Sequence, residues 1–193
     1  MKLPRSYYLT TDVADLAKGL LGKVLCTKFD GIVSSGIITE TEAYAGAIDK
    51  ASHAYGDKKT KRTNTMYLSG GCSYVYLIYG MHHLFNVVSN IEGIPHAVLI
   101  RGIKPFEGLE EMIKRRGGKS DKGFTQGPGT LSQALGIKTL HDGIDLQGDT
   151  IWIEDRGISI SPSTIKAKPR VGVDYAGDHA LWEWNFYLDH DYQ

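Results

Sequence analysis

The first periodic pattern of apolar residues predicts a helix near the start of the chain. Its apolar residues are Val13, Leu16, Ala17, Leu20 and Leu21. Intervals of three and four place these side chains on one face of a helix. Thr11 or Asp12 is suited to cap the first turn, and Gly22 is suited to end the helix.

Short segments rich in β-branched and aromatic residues predict a sheet. These segments are residues 23–29, 36–43, 73–79, 83–89, 97–103, 149–155, 170–173 and 184–188. The segment from Tyr67 to Tyr79, which is interrupted by Gly70 and Gly71, predicts a hairpin. Helices and strands do not alternate regularly, so we expect an α+β fold with a mainly antiparallel sheet and peripheral helices.

Two later segments carry signals for the start of a helix. Pro105 is followed by acidic and then by basic residues, which predicts a helix from Pro105 to about residue 116. Thr130 and Gln133 match a capping box, which predicts a short helix that ends near Gly136. Residues 46–64 are polar and lack periodicity, so we expect a long loop there.

Length and composition indicate a single globular domain over residues 1–193. The chain has 193 residues, of which 41% are hydrophobic and 23% are charged, and it contains no linker-like segment. No apolar run approaches the roughly 20 residues that cross a bilayer, and the N-terminus lacks the apolar core of a secretory signal. We therefore expect a cytoplasmic protein that does not associate with membranes.

The formal net charge is zero, but the basic residues are clustered. The clusters are Lys58, Lys59, Lys61 and Arg62, then Lys114, Arg115, Arg116, Lys119 and Lys122, and then Lys166, Lys168 and Arg170. Clusters of this kind are usually solvated surface. They also suit contacts to phosphate, so a nucleic-acid partner stays open at this point.

Two carboxylates and a phenol fall on one face of the second predicted strand. Because alternate residues of a strand share a face, Glu40, Glu42 and Tyr44 lie on the same side. The segment is therefore either the solvated face of an edge strand or a site where a carboxylate acts as general base beside an aromatic wall. His53 follows on the polar loop, although a single histidine is more often structural.

Tyrosines also alternate along the next predicted strand. Tyr74 and Tyr76 share a face, and Tyr79 points the other way. The strand either packs aromatic rings on both of its faces or offers Tyr76 as a platform for a stacked base. In the second case Tyr79 is free to insert between base pairs.

Several motifs that would indicate other chemistry do not occur in the sequence. Residues 118–120 resemble the end of a phosphate-binding loop, but Ile113 stands where the first glycine of that loop belongs. The HExxH, GxSxG and calcium-loop patterns are missing. Cys26 and Cys72 fit no zinc pattern and are expected to be buried thiols. We therefore expect neither a metal nor an organic cofactor.

An ordered series of short blocks runs through the chain from about Leu16 to Leu188. The blocks are residues 40–44 (Glu-Thr-Glu-Ala-Tyr), His53, residues 74–81 (Tyr-Val-Tyr-Leu-Ile-Tyr-Gly-Met), Asn86, Arg101, and residues 105–108, 127–131 and 170–173. In this order and spacing they resemble the alkyladenine (3-methyladenine) DNA glycosylase family. Each block alone is weak, but the ordered series is highly specific.

The resemblance implies a role for each matching residue. Glu42 matches the general base that activates the attacking water, and Arg101 matches a residue that helps to hold this water. Tyr44 and Tyr76 match the aromatic residues that sandwich a flipped base, with His53 at the wall of the pocket. The resemblance therefore assigns the acidic and aromatic patterns to one base-binding site.

Other matching residues concern the DNA. Tyr79 matches the wedge that fills the gap in the duplex from the minor groove, which implies a DNA-inserting β-hairpin. Asn86 matches a residue at the pocket entrance that helps to discriminate against normal guanine. Gly127 and Pro128 lead into a helix whose N-terminus, with Thr130, is expected to hold the DNA backbone.

The implied activity is that of a monofunctional DNA glycosylase that initiates base excision repair. A damaged purine, alkylated or deaminated, is flipped from double-stranded DNA, and its N-glycosidic bond is hydrolysed. None of the pocket blocks contains a lysine that could form a Schiff base, so we expect no lyase activity. We expect a monomer that acts at the nucleoid or, in a eukaryote, in the nucleus.

Two alternatives remain open at the level of the sequence. A non-catalytic nucleic-acid binding module would keep the basic loops but would not need Glu42. A small-molecule hydrolase, such as a nucleosidase, would not need Tyr79. Two departures from the family pattern, at His82 and at residues 180–185, concern DNA contacts rather than the pocket.

Overall fold

The computed structural model describes residues 1–121 and 123–189, and the strands in this part of the chain join one sheet. The strands are β1 (Val24–Phe29), β2 (Ile32–Tyr44), β3 (Ser73–Ile78), β4 (His82–Ser89), β5 (His96–Glu107), β6 (Ile151–Glu154), β7 (Ile165–Lys168) and β8 (Asn185–Leu188). The sheet order is β3–β4–β5–β2–β1–β6, and β8 joins β2 to β7. All of these pairings are antiparallel, which confirms the expected α+β class.

Helices lie against the sheet. The α-helices are α1 (Arg5–Tyr8), α2 (Val13–Leu20), α3 (Leu109–Arg115) and α4 (Pro128–Leu135). Helix α2 begins at a predicted cap, since the Asp12 carboxylate accepts a hydrogen bond from the backbone N–H of Asp15. Within the described ranges, no helix has both the length and the apolar character that a membrane span requires.

Strand β2 is the centre of the sheet. It pairs with β5 on one side, and on the other side it pairs first with β1 and then, at residues 40–42, with β8. The Thr41 hydroxyl donates to the carbonyl of Ala17 in α2, and Ala43 is part of the same core. Glu40, Glu42 and Tyr44, which alternate with these residues, therefore face away from α2. Because β2 has paired strands on both sides, the interpretation of this segment as an edge strand is wrong.

Two predicted elements differ from the structure, the helix from Pro105 and the strand at residues 170–173. Pro105 lies within β5, where it stands opposite Gly36 of β2, so α3 begins only after Gly108. Gly108 has a left-handed backbone (φ 76°) that separates the strand from the helix. Residues 170–173 form a turn rather than a strand, and the strand in this region is β7.

The hairpin and the last helix also differ from the prediction. The hairpin is formed by β3 and β4, with its tip after Ile78, whereas Tyr67 lies in a short 3-10 helix (Asn64–Tyr67). Helix α4 begins at Pro128, with Gly127 at its N-cap. The Thr130 hydroxyl donates to the carbonyl of Gly127, so the predicted capping box is not formed.

Candidate active site

A cavity of about 780 Å³ lies between β2, β3, β4, β5 and the start of α4. The residues with predicted roles that line it are Tyr44, His53, Tyr76, Tyr79, Asn86, Arg101, Gly127, Pro128 and Thr130. Glu42 lies directly behind this wall, because it contacts Tyr44, Arg101 and Val171, which all line the cavity. The fold thus brings together every residue to which the resemblance gave a role, whereas the block at residues 105–108 does not line the cavity.

The Glu42 carboxylate is completely buried and is held by hydrogen-bond donors. Tyr44 Oη donates to Oε2 at 2.7 Å, while the Val171 backbone N–H and Asn185 Nδ2 donate to Oε1 at 2.8 and 3.0 Å. Arg101 Nε lies 3.4 Å from Oε1, and its Nη1 lies 3.4 Å from Oε2. All four partners are donors, so both carboxylate oxygens act as hydrogen-bond acceptors and the side chain is held in one orientation.

Tyr44 keeps its proton in this arrangement. Burial raises the pKa of the Tyr44 phenol well above its ordinary value, and the negative charge of Glu42 raises it further. The phenol is therefore a stable donor to the carboxylate, and the ring is free to form part of the cavity wall.

Arg101 bridges two carboxylates on β2. Its Nε also donates to Glu40 Oε1 at 3.3 Å, and the same oxygen accepts from Asn185 Nδ2 at 2.8 Å. Lys168 Nζ lies 3.5 Å from Glu40 Oε1. This network fixes the guanidinium of Arg101 beside Glu42 and confirms that Glu40, Glu42 and Tyr44 share one side of β2.

Aromatic rings form one wall of the cavity. The rings of Tyr74 and Tyr76 are 5.3 Å apart, and the His53 ring meets Tyr76 edge-on at 4.7 Å. Burial, assisted by the positive charge of Arg62, lowers the pKa of His53 to about 4. His53 is therefore neutral at physiological pH.

Asn86 is nearly fully buried in the same wall. Its Nδ2 donates to the backbone carbonyl of Tyr74 at 3.0 Å, across the β3–β4 pair. The side chain is thus held in a fixed orientation by the hairpin that also carries Tyr76 and Tyr79.

Tyr79 stands at the tip of the β3–β4 hairpin. Its side chain is 83% exposed, and its backbone is left-handed (φ 53°), as is that of Gly80 (φ 70°). The backbone N–H of Met81 donates to the carbonyl of Ile78 at 3.2 Å, which closes a tight turn of the type that twisted hairpins prefer. An exposed bulky residue with positive φ is uncommon and often marks a functional position.

The start of α4 closes another side of the cavity. The backbone N–H of Gly127 donates to the carbonyl of Arg101 at 2.8 Å, which ties the helix to β5. Gly127 offers no capping side chain, so the first N–H groups of the helix lack a side-chain cap. A Cβ at Gly129 would lie 3.0 Å from the His82 side chain, so glycine allows α4 to approach the hairpin closely.

Arg170 is a residue whose position the sequence did not reveal. It belongs to a basic cluster, yet its side chain is completely buried and pairs with Asp49 through contacts of 2.5 and 2.9 Å. Its guanidinium also lies 4.9 Å from the centre of the Tyr44 ring and donates to the carbonyl of Ala43. Arg170 therefore positions Tyr44, and its placement in an exposed cluster is wrong.

Other basic residues are also occupied within the protein. Arg115 pairs with Glu111, and Arg116 donates to the carbonyl of Phe124 and to the side chain of Gln133. Lys122 lies outside the described residues. Among the described basic residues, those at 58–62 are all exposed and available for phosphate, and Lys114, Lys119 and Lys166 are exposed as well.

Within the described residues, neither the cysteines nor the potential metal ligands form a second functional site. Cys26 and Cys72 are buried and free, as expected, and burial raises the pKa of each to about 12. In the part of the chain that the structure describes, no group of three or more His, Cys, Asp or Glu residues is placed to hold a metal ion.

The chain is similar to known proteins over nearly its whole length. The sequence profile described as "Methylpurine-DNA glycosylase (MPG)" matches residues 7–192. Relatives named "Putative 3-methyladenine DNA glycosylase" include proteins of Clostridium perfringens (45% identical, over 97% of this chain and 96% of the relative) and Chlamydia abortus (47%, over 96% and 97%). A protein of Bacillus cereus with the same name is 46% identical over 97% of this chain and 95% of its own length.

These findings define the class of protein as a DNA glycosylase, an enzyme that acts on bases in DNA. Within this class, the chain belongs to the methylpurine-DNA glycosylase family, which confirms the resemblance seen in the sequence. It is an enzyme of the DNA repair type whose substrates are alkylated bases.

Proposed function

We propose that this chain removes damaged purines from double-stranded DNA by hydrolysis, with a water that Glu42 activates. The observation that carries the proposal is the burial of Glu42 behind the cavity wall, in contact with Tyr44 and Arg101. The Arg101 contacts, at 3.4 Å, are the longest that the carboxylate makes. A water inserted there would lie between a guanidinium and a carboxylate, which can hold it and take its proton.

The same carboxylate would stabilise the sugar during bond cleavage. Hydrolysis of a glycosidic bond builds positive charge on the sugar, and a fixed anion nearby lowers the energy of that state. One carboxylate is sufficient when the leaving base is activated, as an alkylated, cationic purine is. We include deaminated purines as slower substrates, because a neutral base is a poorer leaving group.

The cavity wall suits a flipped, alkylated base. Stacking on an aromatic residue contributes about 1–3 kcal/mol per base, and Tyr44 and Tyr76 both line the cavity. A cationic purine is attracted to electron-rich rings, and neutral His53 adds no opposing charge. Asn86, held by the hairpin, would then contact the edge of the base.

The exposed elements suit the DNA around the lesion. Tyr79 would fill the space that the flipped nucleotide leaves. The uncapped start of α4, at Gly127, Pro128 and Thr130, would hold a DNA phosphate. One copy of the chain carries all of these parts, so we propose a monomer.

We propose no lyase activity. Strand cleavage by a glycosylase requires an amine that forms a Schiff base with the sugar. The lining residues of the cavity, within the described part of the chain, include no lysine.

The proposal is tested with a labelled duplex that carries one 3-methyladenine or one hypoxanthine, in excess EDTA. We expect base release by the native chain, strand breaks only after alkali treatment, and no release by Glu42→Gln. Binding of the lesion without release by the native chain would instead indicate a non-catalytic module. Activity on free nucleosides but not on duplex DNA would indicate a small-molecule hydrolase.

A further inference from the structure

The guanidinium of Arg62 lies over a ring that forms the cavity wall. Its central carbon is 4.7 Å from the centre of the Tyr76 ring, and Nη2 is 3.3 Å from Nε2 of His53. Arg62 belongs to the exposed basic segment before β3, yet it is one of the residues that line the cavity. A planar cation thus lies on an aromatic platform of the base-binding cavity.

The hydrogen bonds of His53 with Arg62 and with Tyr74 require the same tautomer of the His53 ring. A guanidinium N–H can only donate, so Nε2 of His53 accepts, and the ring proton lies on Nδ1. Nδ1 then donates to Tyr74 Oη, which is 3.0 Å away. Neutral His53 and the electron-rich Tyr76 together hold Arg62 in place by a hydrogen bond and a cation–π contact.

We propose that Arg62 is an intramolecular competitor for the Tyr76 platform, which a base must displace before it can stack there. The inference rests on the proposed function, in which Tyr76 is a base-stacking platform. A guanidinium and an alkylated purine are both planar cations, and both gain from the same ring face. They cannot occupy that face together.

DNA offers the displaced guanidinium another partner. Lys58, Lys59 and Lys61 are exposed in the same segment, and arginine binds phosphate through two parallel hydrogen bonds. When the backbone of DNA is present, Arg62 can exchange His53 and Tyr76 for a phosphate. A free base brings no phosphate, so Arg62 gains no new partner in place of His53 and Tyr76, and the base displaces it less easily. The residue therefore makes the cavity favour bases that are attached to DNA and promotes release of the excised base.

The test compares the affinity of three proteins for free 3-methyladenine, measured by calorimetry without DNA. The proteins are the native chain, Arg62→Ala and the matched control Lys61→Ala. Lys61 is adjacent, exposed and equally charged, but it does not line the cavity. We expect Arg62→Ala to bind the free base about 3- to 30-fold more tightly, the range that corresponds to one cation–π contact, and Lys61→Ala to bind it as the native chain does.

A gain in affinity is not a result that damage to the fold would produce. Equal or weaker binding by Arg62→Ala, or no detectable binding by either protein, overturns the inference. Release of 7-methylguanine from a duplex by the native chain is measured in parallel. If the native chain releases the base and Arg62→Ala gains no affinity, only the Arg62 inference fails. If no base is released but Arg62→Ala gains affinity, the competitor role stands and the proposed reaction fails.

Discussion

At the scale of single residues, the buried ion pair of Arg170 and Asp49 supports the cavity from behind. Removal of one partner from a buried pair leaves the other charge without compensation, which costs about 3–5 kcal/mol. We expect Asp49→Ala to lower the free energy of unfolding by about this amount in a urea titration. Asp155→Ala, which removes an exposed partner of Lys23, is the control and should have a much smaller effect. Similar losses in the two variants would contradict a special role for the buried pair.

His53 links the stability of the protein to pH. Its pKa is about 4 in the folded chain, below the value near 6.5 of an unfolded chain. As the pH falls below 6.5, the unfolded state therefore binds the proton first and is stabilised. The contribution of neutral His53 is complete above pH 6.5 and is lost as the pH falls through about 4.

The expected loss from His53 is on the order of 2 kcal/mol between pH 6.5 and pH 4. Urea titrations across this range measure it. His83, His96 and His141 have pKa values that burial lowers as well, so the native chain loses stability through several groups. His53→Gln should reduce the pH dependence by the His53 share, and an unchanged pH dependence would show that His53 titrates normally.

The sequence identified residues by motif but not by three-dimensional contact. Glu42, Tyr44 and Arg101 could be predicted because they fall within recognisable blocks. The donor Asn185 could not, because it reaches Glu42 through the pairing of β8 with β2, so the expectation that residues 180–185 do not concern the pocket is wrong. Val171 lies in the recognised block at residues 170–173, but its role as a donor could not be predicted, because it contributes only its backbone N–H. Such contacts depend on which strands become neighbours, and no local pattern records this.

At the scale of elements, the turn of the β3–β4 hairpin holds Tyr79 in an exposed position with a backbone conformation that lowers stability. A non-glycine residue in the left-handed region costs roughly 1–2 kcal/mol, and Tyr79 has φ 53°. We expect Tyr79→Gly to raise the free energy of unfolding by about 1 kcal/mol and to lower base release from duplex DNA at least tenfold. Single-turnover assays and urea titrations on the same preparations measure both effects.

Leu77→Ala is a suitable comparison, because Leu77 is partly exposed on β3, which leads to Tyr79, and does not line the cavity. It removes apolar surface from the hairpin without changing the wedge. Base release that is unchanged in Tyr79→Gly would refute the wedge role, whereas a large loss in Leu77→Ala would mean that hairpin geometry limits the reaction.

Elements with a strong local period could be predicted, and elements set by tertiary pairing could not. Helix α2 follows its apolar stripe and is capped by Asp12, one of the two predicted caps. Pro105 favours the start of a helix locally, but the pairing of β5 with β2 continues through it. In the same way, the hairpin tip lies at the two left-handed residues after Ile78 rather than at Gly70 and Gly71.

At the scale of the whole molecule, the net charge is zero, but the basic residues are unevenly distributed along the chain. All three basic clusters are partly used within the protein. Arg115, Arg116 and Arg170 bind carboxylate, amide or carbonyl groups, and Arg62 contacts His53 and Tyr76. The segment at residues 58–62 stays exposed beside the cavity, to which it contributes Arg62. Phosphate contacts should therefore be few and concentrated on this side.

This distribution predicts how binding to DNA depends on salt. Each phosphate contact contributes about 0.9 to the slope of log affinity against log salt concentration for duplex DNA. We expect the triple variant Lys58→Ala, Lys59→Ala, Lys61→Ala to lower the slope by about 2 to 3, measured by fluorescence anisotropy with an undamaged duplex. Lys18→Ala is the control, because α2 covers the opposite side of β2 from the cavity. A slope that is unchanged in the triple variant would exclude this segment and leave the exposed part of the cluster after residue 113 as the contact to DNA. Since undamaged DNA binds through the backbone alone, the measurement separates this surface from the base-binding cavity.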